Sequence, residues 1–389
     1  MIAKQDILDR AAEWALRPDV VEKDYVLGWM LAAIGRNPEA SVHWVFKGGT
    51  CLKKCYVETH RFSEDLDFTL RTAAVYSAEG LEAVLRDLAA AVEELTGIRC
   101  PADQVLIRSR KDKQGRPTFE GRIAYQGPLA VPSWPRVRFD LTMHETIVEA
   151  VEQRPVFHPY PDELPAGMSV GAYPLTEITA EKTRALFERT LPRDLYDVVF
   201  LLENGFATLD IRRLRSVFTA KCAAKGLAVP SASEMVAEIN ASVELRSEWE
   251  NMLGHQLPEL VPLDNLLPRV PSLLAWIDSD APLPGAALPR VPVPMHPAET
   301  ATLSTRYWGI GVPLEVIRFA GSNRLMVEFT YHGRHRLVEP YSLKQAQAGN
   351  LLLYGWESGA GHIKAFKVAE ISGLNSTRSP FQPRYRVEV

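Results

Sequence analysis

Residues 42–70, VHWVFKGGTCLKKCYVETHRFSEDLDFTL, constrain this chain more than any other stretch. The run opens on His43-Trp44-Val45-Phe46, an alternation that suits a half-buried strand, and breaks at Gly48-Gly49 into an amphipathic turn over residues 50–56. Two adjacent glycines leave the amide N–H groups of a helix start uncovered, so a phosphate can approach them. Thr50 and Lys53 can add a hydroxyl and a positive charge. Next comes Arg61-Phe62-Ser63-Glu64-Asp65-Leu66-Asp67-Phe68. Residues two apart on a strand share a face, so Asp65 and Asp67 project together while Leu66 and Phe68 turn to the core. Two parallel carboxylates repel each other unless they share a cation, and hard oxygen ligands with room for phosphate oxygens suit Mg²⁺. Taken alone, the two glycines read as a plain strand-to-helix turn; their link to the aspartate pair points to phosphate chemistry.

At 389 residues the chain has room for two or three domains. Its 46% apolar and 24% charged residues are ordinary for a globular protein. A net charge of −4 is not that of a general polyanion binder, so any nucleic-acid contact has to be local. Cys51, Cys55, Cys100 and Cys222 form no C-x-x-C pair and read as reduced core residues. The N-terminus lacks a basic segment ahead of an apolar run, and the longest apolar stretch, residues 26–34, is too short to span a bilayer. A cytoplasmic protein without membrane association is expected.

Residues 5–16 and 20–35 read as helices around Arg17-Pro18-Asp19, with Asp19 placed to cap the second. A packing helix over 79–96 stops at Gly97. Alternating runs at 105–108, 119–125 and 136–141 extend the sheet to about residue 142. In the last of these, Val137, Phe139 and Leu141 take one parity, while Arg136, Arg138 and Asp140 take the face that can meet Asp65 and Asp67. Asp140 either joins that pair or forms an ion pair with Arg138 or Arg136 on a solvent face. Residues 152–174, rich in proline and tyrosine, read as loop.

A helix beginning near Thr176 carries Lys182 and Arg189 on one face, and Pro192 separates it from a helix over 193–202. Three further helices, at about 210–225, 233–253 and 263–279, read as a helical lobe closing over a nucleotide. Residues 281–297 hold six prolines and read as an extended linker. Beyond it, residues 301–389 carry 11 Lys/Arg against 6 Asp/Glu, a balance of +5, which leaves −9 for residues 1–300. Short strands are expected there at 314–319, 325–332, 335–341, 351–356 and 363–368, enough for a small barrel.

A glycine corner followed by a D-x-D strand resembles the nucleotidyltransferase superfamily with the DNA polymerase β-like fold. More specifically, Gly-Gly-Thr-x-Leu-Lys at Gly48 to Lys53 and Arg-x-Ser-x-Asp-x-Asp at Arg61 to Asp67 resemble the AbiEii/AbiGii toxin family. Lys-x-x-Ala at Lys182 to Ala185 and Arg-Asp-x-Tyr-Asp at Arg193 to Asp197 add to that likeness, as does Val21-Glu22-Lys23-Asp24-Tyr25. The gap between the glycines and Asp65 is a little longer than in many superfamily members.

The likeness implies an α+β fold: a mixed sheet with helices over 1–174, a helical lobe over 175–280, and beyond the linker at 281–297 a small SH3-like barrel over 298–389. It implies a Mg²⁺-dependent enzyme, with two ions, that transfers NMP from an NTP to RNA, with a tRNA 3′ end the acceptor it suggests. Such a protein would act as a toxin-antitoxin or phage-defence toxin with a separately encoded antitoxin. Asp65, Asp67 and Asp140 would be the metal ligands. Gly48, Gly49, Thr50, Lys53, Arg61, Ser63, Lys182, Arg189, Arg193 and Asp197 would bind the nucleotide, with Lys182 on the triphosphate. Arg193, Asp194 and Asp197 also fit an ordinary ion cluster at a helix start.

The C-terminal runs around Arg336, Tyr341, Tyr354, Lys364 and Lys367 resemble a WYL domain, although the Trp-Tyr-Leu order is not kept. In such domains aromatic and basic side chains bind nucleic acid; Tyr354 and Trp356 equally suit a barrel core. The alternative reading is a nucleic-acid-binding or nucleotide-sensing protein in which this barrel works and the transferase fold is a scaffold. Three acidic residues on one face weigh against it. A kinase-like reading lacks H-R-D and D-F-G.

Overall fold

The computed structural model describes residues 1–71, 76–111, 115–205, 208–292, 314–346 and 349–389. They fall into two units. The first comprises Met1–Ala11, Leu16–Glu181 and Thr219–Leu227; the second comprises Ala12–Ala15, Lys182–Phe218 and Ala228–Val389. One division between these units lies inside a helix, at 181/182. The helices after residue 227 fall in one unit with the C-terminal sheet.

In the first unit, β1 (Trp44–Lys47) is buried at every position. It pairs antiparallel with β2 (Asp65–Leu70) and parallel with a strand over Ser169–Ala172. The sheet continues outward from β2 through β5 (Arg136–Thr142), β4 (Pro117–Ala124) and β3 (Leu106–Lys111), and ends on the other side with β6 (Glu152–Pro155) beyond β7 (Ser169–Ala172). The expected loop over 152–174 thus holds two strands. Gly171 sits in β7, and glycine in a strand reads as a break in sequence. The alternating residues pack as their parity dictates: Leu66, Phe68, Val137, Phe139 and Leu141 are buried, and Phe46 stacks on Phe68 with centroids 5.1 Å apart.

The helices of this unit include α1 (Lys4–Trp14), which runs past its edge, α2 (Pro18–Arg36), the short α3 (Ala40–His43) and α4 (Gly48–Cys51), and α5 (Ala78–Thr96). His43 closes α3 and does not begin a strand, and α4 continues as a π-helical turn over Leu52–Tyr56. Asp19 lies within the first turn of α2, paired with Arg17, and the N-cap of α2 is Arg17. Val21-Glu22-Lys23-Asp24-Tyr25 is anchored by several long-range contacts. Glu22 accepts from the Leu129 amide at 2.6 Å, Lys23 pairs with Glu64 at 2.8 Å, Asp24 pairs with Lys54 at 2.6 Å, and the Tyr25 hydroxyl donates to Asp162 at 2.7 Å. All four cysteines are buried and free.

The second unit takes the C-terminal part of α6 (Leu175–Arg189), then α7 (Pro192–Asn204) and most of α8 (Ile211–Ala224). After them come α9 (Ala232–Ala241), α10 (Val243–Ser247), α11 (Trp249–Leu253), α12 (Leu263–Leu266), α13 (Val270–Leu274) and α14 (Leu314–Ser322). Residues 314–319 are helical where a strand was expected. Such a short apolar run fits either period, and here Leu314, Ile317 and Ala320 form a buried stripe at helical spacing.

A five-stranded antiparallel sheet follows, built of β8 (Leu325–Tyr331), β9 (Arg334–Gln345), β10 (Leu351–Glu357), β11 (His362–Lys367) and β12 (Ile371–Pro380), in the order β11-β10-β9-β8-β12. The sheet is open. Its end strands β11 and β12 do not pair among the described residues, so the expected SH3-like barrel is not seen as a closed ring. The helix α14 packs on β8, β9 and β12, covering apolar surface that closure would otherwise bury.

The described part of the proline-rich segment is packed. Val291 joins Tyr341, Tyr354 and Phe381 in a core cluster, Leu283 is buried, and the Pro289 carbonyl accepts from the Arg386 amide at 2.8 Å. Residues 293–297 of that segment and 298–313 of the expected barrel lie outside the described residues. No described helix is long and apolar enough to cross a membrane.

Candidate active site

Gly48 has φ +80°, a conformation that glycine adopts without the strain a Cβ brings, and a Cβ placed there would lie 2.1 Å from Asp67 Oδ2. The Asp67 carboxylate therefore rests on the glycine corner itself. At Gly49 an added Cβ would meet Arg61 Nη2 at 2.8 Å and Ser63 Oγ at 3.3 Å. The two glycines are the floor on which a carboxylate, a guanidinium and a hydroxyl converge. No side chain caps the start of α4: the N-cap residue is Lys47, whose ammonium has no acceptor to offer the amides.

β2 and β5 run parallel, with Asp65 beside Arg138 and Asp67 beside Asp140. Residues paired in this way share a face, so the three aspartates stand on one side of the sheet, half-exposed, while their strand neighbours are buried. Arg138 holds Asp140, with Nη2 2.9 Å from Oδ2 and 3.0 Å from Oδ1. Burial works against the Arg138 charge, but Asp140, Asp65 and Glu120 outweigh it and hold the guanidinium above its ordinary pKa. Asp140 therefore shares the face of the aspartate pair and is itself ion-paired with Arg138. No three His, Cys, Asp or Glu side chains among the described residues are gathered closely enough to hold a metal ion as they stand. The donor set is nonetheless the hard-oxygen one that suits Mg²⁺, and the absence of a Cβ at Gly48 is what lets the Asp67 carboxylate stand against the corner.

Other expected residues lie elsewhere. Thr50 is buried and its hydroxyl donates to the Asp65 carbonyl at 2.5 Å, so it fixes β2 against the corner. Lys53 is buried, donates to the Glu58 carbonyl at 2.6 Å and lies 3.8 Å over the Phe62 ring, which supports the loop carrying Arg61 and Ser63.

The remaining nucleotide candidates form a cluster within the second unit. Lys182 Nζ is 2.8 Å from Asp197, Arg189 contacts both oxygens of Asp194 at 2.6 and 3.0 Å, and both aspartates are fully buried. Arg193 is half-exposed in the first turn of α7.

At the C-terminus the expected stacking residues are core. Tyr341 and Tyr354 are buried in the cluster with Val291 and Phe381, so neither ring is open to a base. Arg336 and Lys364 both pair with Glu357, and Lys367 pairs with Glu370 at 3.1 Å. Burial raises the Glu357 pKa, but Lys364 and Arg336 outweigh it and hold the carboxyl below its ordinary value. The basic side chains at these three positions are thus ion-paired within the sheet.

Two features escaped the sequence reading. Lys47, the residue before the corner, is buried against Glu145 and, at 3.3 Å, Glu181. Lys221 joins Glu177 at 2.6 Å and Glu181 at 3.2 Å, and lies 4.4 Å over the Tyr173 ring. Burial depresses the Lys47 pKa, yet Glu145 and Glu181 outweigh it and raise it well above the ordinary value. The i, i+4 pair Glu177 and Glu181 was the available signal. The other feature is Glu120, buried on β4 beside Asp140, with Arg110 at 2.7 Å and Arg122 at 2.5 Å.

A glycine corner set against a D-x-D strand, inside a mixed sheet with a third aspartate in register, is the plan of a nucleotidyltransferase. Residues 29–276 match the family described as "Nucleotidyl transferase AbiEii toxin, Type IV TA system", and the chain belongs to that family. No curated protein matches the sequence. Among solved structures, the chain is similar to MenT4, a nucleotidyltransferase toxin from Mycobacterium tuberculosis H37Rv, with 18% identity over 72% of this chain and 91% of that one and a TM-score of 0.46. It is also similar to proteasome accessory factor B/C of Arthrobacter aurescens, with 13% identity over 80% of this chain and 27% of that one and a TM-score of 0.18. A type IV toxin-antitoxin family implies an NTP substrate and an antitoxin partner.

Proposed function

We propose that this chain is a Mg²⁺-dependent toxin that transfers a nucleoside monophosphate from an NTP to RNA, with a tRNA 3′ end as its acceptor. The observation that supports this best is the register of β2 and β5, which sets Asp140 beside Asp67 on the face that carries Asp65. The acceptor hydroxyl oxygen bonds to the α-phosphorus as its proton passes to solvent, and the bond from the α-phosphorus to the bridging oxygen breaks to release pyrophosphate.

Asp65, Asp67 and Asp140 would hold the Mg²⁺ ions, which when bound neutralise charge on the phosphates and lower the barrier to displacement. Asp140 turns from Arg138 toward the acceptor and orients its hydroxyl. The uncapped amides at Gly48-Gly49, with Arg61 and Ser63 above them, cradle the triphosphate. Lys182, Arg189, Arg193 and Asp197 are proposed to bind nucleotide.

The test is incubation of the purified chain and Mg²⁺ with each labelled NTP and total cellular RNA. Label in a discrete RNA band is expected. No transfer with any NTP would overturn the reading.

A further inference from the structure

The face of the first sheet that carries the three aspartates does not end at β5. Register continues it across β4 and β3: one row reads Asp67, Asp140, Glu120, Arg108, and the next reads Asp65, Arg138, Arg122, Leu106. Three strand spacings separate Asp67 from Arg108, about 14 Å. Arg110 and Arg136 stand on this same face, one strand step further along in either direction. The opposite face is the apolar one, where α5 packs on β3 and β4 and Leu85 fills the space above Gly121.

Beyond the aspartates this surface holds five arginines and one carboxylate. Glu120, itself buried, organises the row: Arg110 and Arg122 lie within 2.7 Å of it and Arg138 at 3.8 Å. Arg138 pairs chiefly with Asp140, which leaves Arg110 and Arg122 to share the one Glu120 carboxylate. Arg108 and Arg136 are exposed and have no carboxylate partner among the described residues. In a chain of net charge −4, Arg108 and Arg136, set beside Arg110 and Arg122 on their shared glutamate, make a local basic patch next to the aspartates.

The geometry points to this arginine face of β3, β4 and β5 as the docking surface for the phosphate backbone of the acceptor RNA, leading its end to the aspartates. The inference rests on the proposed transferase reading and adds where the acceptor lies. Charge complementarity favours a polyanion, and continuity with the aspartate row favours the acceptor strand over a protein partner. Arginine forks suit phosphate oxygens, and such contacts position a strand without reading its sequence. In the C-terminal sheet, Arg336, Lys364 and Lys367 are ion-paired and Tyr341 and Tyr354 are buried.

The test uses the full chain, without NTP, and total tRNA as the probe. Binding is measured across a salt series for the parent, for Arg108→Glu/Arg136→Glu, and for Arg334→Glu/Lys367→Glu in the C-terminal sheet. The first double variant is expected to lose at least tenfold in affinity, and its plot of log affinity against log salt should flatten by about 1.4, at about 0.7 per lost phosphate contact. The second should match the parent. NTP binding should be unchanged in all three.

Parent-like affinity and slope in the first variant would overturn the surface. This holds even if transfer is confirmed, and would leave an acidic protein as the better occupant. Absence of transfer with any NTP would fail the catalytic reading instead, and the salt series would still decide the surface. Should charge reversal unfold the chain, Arg108→Gln/Arg136→Gln reads the same loss with a smaller fold-change.

Discussion

Asp67 and Gly48 are in contact: Oδ2 of the aspartate occupies the place that a Cβ on the glycine would take. This contact makes the corner and the carboxylate strand one device. Antiparallel pairing of Lys47 with Asp67 brings the strand to the corner, and positive φ at Gly48 lets the chain turn beneath the carboxylate.

Gly48→Ala is therefore expected to reduce transfer at least 100-fold, while backbone strain alone costs about 1 kcal/mol of stability. Gly97 is the control. It also has positive φ, +74°, but nothing lies within 4 Å of an added Cβ, so Gly97→Ala should lower the melting temperature and leave turnover intact. Equal activity loss in both variants would mean that strain, and not displacement of Asp67, is responsible.

Lys182→Ala separates a nucleotide contact from a structural ion pair. Lys182 pairs with Asp197, which is fully buried, and removal of one member of a buried pair costs up to about 3–5 kcal/mol. Chemical denaturation should show a loss of that size. An unchanged midpoint together with a raised KM for NTP would show that the lysine acts on the triphosphate and that Asp197 does not depend on it.

Acid should weaken the first unit in two stages. Burial, reinforced by Lys54 and opposed by Asp162, holds the His158 pKa below its ordinary value, so the unfolded chain takes up that proton first. This contribution is present above the ordinary histidine pKa of about 6.5 and is lost as pH falls below it. Burial raises the Asp24 pKa, but Lys54 and Lys53 outweigh it and the carboxyl lies below its ordinary value. Its contribution is present above about pH 3.9 and lost as pH falls below that. Melting temperatures from pH 8 to 3 should fall in both windows for the parent, and His158→Gln should flatten the upper one.

The parts of the site legible in the sequence were those carried by local pattern. Gly48-Gly49 and Asp65-x-Asp67 could be read because a turn and a two-residue alternation are short-range. Asp140 could be placed by parity, yet its register with Asp67 is a non-local pairing that no single strand encodes. The fates of Thr50, Lys53, Tyr341 and Tyr354 were not legible for the same reason. Whether a hydroxyl meets a phosphate or a carbonyl, or a ring meets a base or a valine, depends on packing across the sheet. The strand at Ser169–Ala172 was hidden by Gly171, and the helix at Leu314–Ser322 by a run short enough for either period. The arginine face was hidden because its residues come from three runs of sequence that only the sheet assembles.

The central claim is that the aspartates on β2 and β5 drive nucleotide transfer. It is tested most directly by comparing the parent chain with Asp67→Asn, in Mg²⁺, with labelled NTP and cellular RNA. The account predicts a labelled RNA band with the parent and at least a 100-fold lower rate with the variant, at an undiminished melting temperature. Loss of a metal-binding charge that acts on the transition state would have that effect. Transfer by the variant at the parent's rate would contradict it.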